Sequence, residues 1–338
     1  MTEAPLPPGS TIGVLGAGQL GRMLAMAAAR MGLRCRFYDP APAPPAADLG
    51  PCVAAAWDDR DALEAFAASV DVVTLEFENV PLPALEHLAR TRPTRPGPRS
   101  LAVSQDRLAE KRELRGFGLE TAAFAAVDDA ASLRAALAET GAPAILKTRR
   151  MGYDGKGQIR LRSEAEAGPA LAALSGAPAI LEGVAPFTRE LSVVAARGPD
   201  GAMRAFDPAE NVHEGGILRR SAVPAAIDAE TARRAQAIAF RILDGLGHVG
   251  AMGVELFHMP DGRLLVNEIA PRVHNTGHWT MEACAVDQFA LHLRAVCGWP
   301  PPELVRHADA VMENLLGEEA EGWAARPPEP GGALPLYG

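Results

Sequence analysis

The run TIGVLGAGQLGRMLAMAAARMG, residues 11–32, passes from an apolar stretch through Gly16, Gly18 and Gly21 into an amphipathic segment. That order specifies a β-strand, a glycine turn and an α-helix, the opening of a parallel βαβ unit. A second strand, CRFYD, ends in Asp39, and VDVVTLEFENV reads as a later strand with a polar end. The first hundred residues therefore predict alternating α/β with a parallel sheet. Gly-x-Gly-x-x-Gly with an acidic residue about 20 positions on also matches a dinucleotide site, although the same loop could hold any phosphorylated small molecule at a helix N-terminus. Glu76, Glu78 and Asn79 fall at the same crevice and favour a substrate pocket there, with contacts to a sugar or ring.

The segment RTRPTRPGPRS carries three prolines and a glycine and closes this unit, and QDRLAEKRELRGFGL begins a helical segment. Between about 118 and 182 the pattern is a small α+β unit whose strands PAILKT and APAILEGV bracket a glycine-rich turn. LSVVAARGPDGAMRAF predicts a hairpin turning at 198–201, a long helix follows from Ala229 to Leu246, and VGAMGVELFHMPDGRLLVNEIAPR predicts two antiparallel strands joined at Pro260, Asp261 and Gly262. A helix near 280 to 296 and a Pro/Gly-rich tail complete the chain. The expected division is 1–103, 104–183 and 184–338, in the α/β and α+β multidomain class.

With 338 residues the chain is long enough for two or three cores, and its formal charge of −9 argues against a nucleic-acid or membrane-surface binder. Cys35, Cys52, Cys284 and Cys297 match no zinc spacing, and a chain this size needs no disulfide staple, so a reducing cytoplasm is expected. Neither a signal-peptide pattern nor an 18-residue uncharged apolar stretch occurs, so no membrane partner is expected.

KTRRMGYDGKGQ, residues 147–158, sets Lys147 on an apolar strand and Lys156 inside a turn with Gly152, Gly155 and Gly157. Two cations and close-approaching backbone N–H groups suit a bound triphosphate, although the Walker A pattern is absent. Glu255 and Glu268 lie near facing ends of the predicted hairpin and suit Mg²⁺, with Asn267 as a further oxygen ligand. Glu182 ends an apolar strand beside groups suited to an adenine edge, and Glu190 suits ribose hydroxyls, unless Arg189 and Glu190 form a surface ion pair. APRVHNTGHWT packs Arg272, His274, Asn275, Thr276, His278 and Trp279 after the carboxylate strand, which is poor core material but suits an anion pocket. His274 and His278 lack the glutamate of a zinc-binding HExxH.

GAGQLGRM, FENVP, QDR with nearby Lys111, GYDGKGQ, RELSVV, NVHEGGIL and VNEIAPRVHNTGHWT occur in order and span nearly the whole chain. Together they resemble the 5-(carboxyamino)imidazole ribonucleotide synthase family, ATP-grasp enzymes of purine biosynthesis. The resemblance implies an ATP-grasp fold behind a Rossmann-like pre-ATP-grasp domain. It implies an ATP-dependent carbon–nitrogen ligase, a cytoplasmic homodimer that joins 5-aminoimidazole ribonucleotide and bicarbonate, with Mg²⁺, or Mn²⁺ in its place, and no nucleic acid. Carried over by motif, Arg107, Lys147, Gly152, Tyr153, Asp154, Gly155, Lys156, Gly157, Gln158, Glu182, Val184, Glu190, His213, Asn267 and Glu268 contact ATP. Glu255 and Glu268 hold the metal, and Gly18, Gln19, Leu20, Glu76, Asn79, Arg272, His274, Asn275 and Thr276 form the ribonucleotide and bicarbonate side. Lys156 and Arg272 are expected to stabilise charge on the way to carboxyphosphate, and His274 is the candidate general base. The family continues past LPLYG into a basic Gly-Arg-Lys-Met-Gly-His segment, so a longer natural chain is expected. A formate-using transformylase and an NAD-dependent dehydrogenase are the alternatives.

Overall fold

The computed structural model describes residues 4–152, 157–325 and 330–336. Strands β1 (Thr11–Leu15), β2 (Arg34–Tyr38), β3 (Cys52–Val53) and β4 (Val72–Leu75) form one sheet in the order β3-β2-β1-β4, and every pairing is parallel. Parallel neighbours require crossovers, which α1 (Gln19–Arg30) and α2 (Arg60–Ala68) supply, and α3 (Leu82–Leu88) follows β4. This is the parallel unit that the glycine turn predicts. The proline-rich segment at 90–100 does more than break the chain. Pro98 opens α4 (Pro98–Ser104), where its missing N–H costs nothing, and Asp106 caps α5 (Arg107–Gly116) by accepting from the N–H groups of Leu108 and Ala109.

The second sheet joins β5 (Phe124–Val127), β6 (Ala144–Thr148), β7 (Gln158–Leu161) and β8 (Ala179–Gly183) in the antiparallel order β5-β8-β6-β7. Leu133, Ala136 and Leu137 of α6 (Ala130–Thr140), with Ala167 and Ala170 of α7 (Ala167–Ala173), pack on it and close a core of their own. The third sheet holds β9 (Arg189–Arg197), β10 (Met203–Ala205), β11 (Ala209–Glu214), β12 (Ile217–Val223), β13 (Gly250–His258), β14 (Leu264–Ala270) and β15 (Ala310–Glu313). Its order is β14-β13-β9-β11-β12-β15, with β10 also on β9.

Both predicted hairpins are present. The β11–β12 hairpin was not predicted; it turns at Gly215 and Gly216, both at positive φ, where glycine carries no steric cost. The helix α8 (Ala229–Leu246) occupies its predicted span, capped by Asp228 and ended by Gly247 in the left-handed region. The helix expected over 280–296 is instead two, α9 (Thr280–Ala283) and α10 (Gln288–Val296), because the Asp287 side chain accepts from Ala290 N–H and starts a new helix.

β9 is buried on both faces. Leu191, Val193 and Ala195 pack toward α8, whereas Val194 and Ala196 join a core that contains α10, α1 and Ile12 and Val14 of β1. The first and third sheets thus share one hydrophobic core through α10, while the second sheet keeps its own.

Two fully buried histidines fasten that shared core. His292 meets Thr74 Oγ1 of β4 through Nε2 at 2.8 Å and accepts from Ala251 N–H through Nδ1 at 3.0 Å. His248 meets Ala251 O through Nε2 at 3.0 Å and Ser100 Oγ through Nδ1 at 3.1 Å. Burial pushes His248 down to about 4 and His292 down to about 3 from an ordinary 6.5. Below 6.5 the unfolded chain binds protons that the fold refuses, so stability falls as pH drops from 6.5 toward the folded values. The expected loss is about 1 kcal/mol per pH unit for each ring. Because Glu255, His274 and His278 also titrate in that window, the thermal midpoint should decline more steeply from pH 6.5 down to 4.5 in the parent than in His292→Gln; equal slopes would sink the account.

Candidate active site

The glycine turn after β1 is filled from within. The Glu76 carboxylate at the end of β4 accepts from Gly18 N–H at 2.9 Å and Gly21 N–H at 3.1 Å, and Asp39 Oδ2 accepts from Ala17 N–H at 2.9 Å. A Cβ on Gly16 would lie 2.7 Å, and one on Gly18 2.9 Å, from Glu76 Oε1, so these glycines make room for the carboxylate. The Gly18 and Gly21 N–H groups at this helix N-terminus thus serve a carboxylate of the chain itself, with the Asp39 carboxylate close by. Gln19 opens α1 on the exposed side and Leu20 is half-buried beside it.

On the nucleotide side, Lys147 of β6 places Nζ 3.0 Å from Glu182 Oε2 of β8. Lys111 of α5, 2% exposed, lies 3.8 Å from the same oxygen and donates to Asn267 O at 2.6 Å. Burial works against Glu182's charge, but Lys111 and Lys147 outweigh it and hold the carboxyl below its usual range. Glu182 Oε1 is buried with no hydrogen-bond partner, as an acceptor awaiting a ligand would be. Arg107 donates to Thr148 O and Gly152 O, both at 3.0 Å, and a Cβ on Gly152 would strike its guanidinium. Val184 follows β8, half-buried, Gly157 turns at φ 69°, and Gln158 opens β7 opposite Lys147. Tyr153, Asp154, Gly155 and Lys156 lie outside the described residues.

Glu190 does not pair with Arg189; it hydrogen-bonds His213 Nδ1, whose pKa rises despite its burial, and Arg189 lies 3.4 Å from Glu210. Glu255 and Glu268 stand directly opposite each other across β13 and β14. A bulge follows, since Leu256 pairs with Val266, and it leaves Asn267 unpaired with its backbone oxygen turned to Lys111. The Asn267 amide nitrogen lies 3.5 Å from Glu255 Oε2. Burial first, and the Glu268 charge second, push Glu255 up to about 8. Two carboxylates sharing one point at this cost fit a divalent cation, which would remove the repulsion and use phosphate oxygens for its remaining ligands.

After β14, Arg272 pairs with Glu78 through Nε and donates from Nη1 to Val273 O at 2.9 Å. His274 meets Thr276 Oγ1 through Nδ1 at 2.8 Å and lies 3.7 Å from Glu255 Oε1 through Nε2. Gly253 is required beneath it, because a Cβ there would sit 2.6 Å from the imidazole. Gln288 of α10 fixes the loop, accepting from His274 N–H and donating to His274 O, both at 2.8 Å. Asn275 Oδ1 is buried without a partner.

Residues 10–105 match the ribonucleotide synthetase preATP-grasp domain, and residues 112–289 match the ATP-grasp domain. The N5-carboxyaminoimidazole ribonucleotide synthase of Brucella melitensis is 52% identical over all of this chain and 94% of its own length. The chain belongs to the N5-carboxyaminoimidazole ribonucleotide synthase family. The synthase of Pseudomonas aeruginosa is 44% identical over 90% of this chain and 84% of its own. Among solved structures, the Staphylococcus aureus synthetase complexed with ADP superposes with TM-score 0.92 at 33% identity, over 96% of this chain and 87% of that one. The Aspergillus clavatus synthase in complex with ADP and 5-aminoimidazole ribonucleotide superposes with TM-score 0.87 at 29% identity, over 94% and 86%.

Members of this synthase family are ATP-dependent ligases of purine biosynthesis, and the ATP-grasp architecture of the second and third sheets is theirs. Within that frame the structure adds residues that sequence reasoning did not single out. Glu110, 3% exposed beside Lys111, lines a cavity with Glu78, Asn79, Arg107 and Glu268, and Gln288 orders the His274 loop. A signal for Lys111 was present: Leu108, Lys111 and Leu114 recur at i, i+3 and i+6 on the buried face of α5.

Proposed function

We propose that this chain carboxylates 5-aminoimidazole ribonucleotide with bicarbonate, converting ATP to ADP and phosphate. The observation that carries the reading is the facing Glu255–Glu268 pair, with the Lys147–Glu182–Lys111 cluster on one side and the Arg272–His274 loop on the other. ATP lies along Arg107, Lys147 and Glu182, with Glu190 and His213 at its sugar. When bound between Glu255 and Glu268, Mg²⁺, or Mn²⁺ in its place, supplies charge neutralisation at the phosphates.

A bicarbonate oxygen attacks the γ-phosphorus, the bond to ADP breaks, and carboxyphosphate forms. Arg272 and Lys156 oppose the charge on the transferred group. The exocyclic amine of the ribonucleotide, held at Glu76 and Asn79, then attacks the carboxyl carbon, or carbon dioxide released from it, and phosphate departs. Burial and Arg272 depress His274 to about 3, which makes its neutral imidazole a poor base at neutral pH. We therefore assign His274 an orienting role through Thr276 and give the amine proton to the departing phosphate. A chain divided at 103 and 183 and, carried over from the family, a cytoplasmic homodimer complete the proposal.

ADP release should require ATP, bicarbonate and the ribonucleotide together, with labelled bicarbonate entering the product. Formate-dependent release without label incorporation would replace this reading with that of a transformylase.

A further inference from the structure

The loop at 78–80, the segment at 105–107 and the segment at 148–152 are hydrogen-bonded into one unit. Gln105, half-buried between α4 and α5, donates from Nε2 to Glu78 O at 2.8 Å and Val80 O at 2.6 Å. Its Oε1 accepts from Arg150 Nη2 at 2.7 Å. Two residues on, Arg107 donates its backbone N–H to Arg149 O at 2.9 Å and its guanidinium to Thr148 O and Gly152 O. Glu78 in turn carries the ion pair to Arg272. One amide therefore stands between the crevice that holds Glu76 and Asn79 and the end of β6 that holds Lys147. The second sheet has a core of its own, so polar contacts of this kind must relate its position to the rest of the molecule.

We propose that Gln105 is a positioning residue that couples the ribonucleotide crevice to the nucleotide side, so that filling one site strengthens binding at the other. The inference rests on the proposed function. A primary amide suits the position because it offers two donors and an acceptor in one plane. A carboxylate of the same size would still pair with Arg150 but would set an acceptor against the Glu78 and Val80 carbonyls, and methionine would fill the volume with no bond on either side. A contiguous network proves coupling only when energies are measured across it.

The test is equilibrium binding of a non-hydrolysable ATP analogue with Mg²⁺, with and without 5-aminoimidazole ribonucleotide, for the parent chain, Gln105→Glu, Gln105→Met and Arg150→Met. In the parent the ribonucleotide should tighten analogue binding about tenfold, within the usual range of coupling between sites. In both Gln105 variants that ratio should fall to near one, while the affinity for each ligand alone changes less than about threefold. Arg150 is exposed and its replacement spares the fold, so Arg150→Met should lose the ratio even if Gln105 variants prove unstable. The double variant Gln105→Met with Arg150→Met should be no worse than either single change, as for members of one network. A parent that binds both ligands without coupling, or variants that keep the parent ratio, would overturn the proposal. A parent that binds the analogue but not the ribonucleotide would overturn the functional reading and this inference with it.

Discussion

If Glu255 and Glu268 hold the metal as proposed, Glu268→Gln is expected to lower turnover about a thousandfold, since losing that charge neutralisation removes several kcal/mol of transition-state stabilisation. The same change should stabilise the metal-free protein. Glu255 and Glu268 face each other in register, and burial together with the Glu268 charge holds Glu255 at about 8 against an ordinary 4.5. The folded protein keeps a proton there that the unfolded chain has released. This contribution is therefore fully present below 4.5 and is lost as pH rises through about 8. Removing the Glu268 charge eases that loss, and the midpoint of the metal-free protein near pH 8 should rise by roughly 2 °C. Mg²⁺ should raise the parent's midpoint more at pH 8 than near pH 6, where it must first expel the proton. Calorimetry of both proteins with and without Mg²⁺ checks this. A midpoint lowered by Glu268→Gln, or an Mg²⁺ effect independent of pH, would show that the pair is not under repulsion.

Arg272→Met should reduce turnover by about two to three orders of magnitude, the range found when a preorganised donor to developing charge is deleted. It also leaves Glu78 without its cation. Burial opposes the Glu78 charge, yet Arg272 holds the carboxyl below its usual range, so the pair is a net attraction. With side chains 16% and 28% exposed, solvent screens part of it, and roughly 1–2 kcal/mol of stability should be lost. Adding Glu78→Gln to Arg272→Met should restore stability without restoring turnover, because only the first effect depends on the orphaned carboxylate. Denaturant titrations and steady-state rates on the parent, Arg272→Met, Glu78→Gln and the double variant separate the two. If the double variant regained activity, the guanidinium would be serving Glu78 alone.

The parts of this molecule that follow a strict period are readable in its sequence. The 250–270 hairpin is legible from its apolar runs and its turn at 260–262, but unbroken pairing would set Asn267 opposite Glu255, and it is the bulge between Glu255 and Leu256 that brings Glu268 there. Where the period fails, sequence pattern misleads. The end of the predicted 280–296 helix was recognisable, but not its interruption, which depends on Asp287 capping a helix whose residues are apolar on both sides. Arg189 next to Glu190 suggests a pair by adjacency, yet neighbours on a strand point to opposite faces, and each finds its partner across the sheet. Gln105 shows only as a letter of the QDR motif, and the roles of Glu110 and Gln288 stay unread because Glu268 and His274, which they meet, come from distant parts of the chain that no local period encodes.

The carboxylate lodged in the first glycine turn reverses what that turn selects. In a dinucleotide site the ring of N–H groups faces outward and welcomes phosphoryl oxygens. Here Glu76 has taken two of those N–H groups, from Gly18 and Gly21. A carboxylate in that position accepts hydrogen bonds from amines and hydroxyls and opposes a phosphate at the same two N–H groups. A loop shaped as an anion receptor carries an anion of its own, and a single acidic side chain at the end of the neighbouring strand makes the difference.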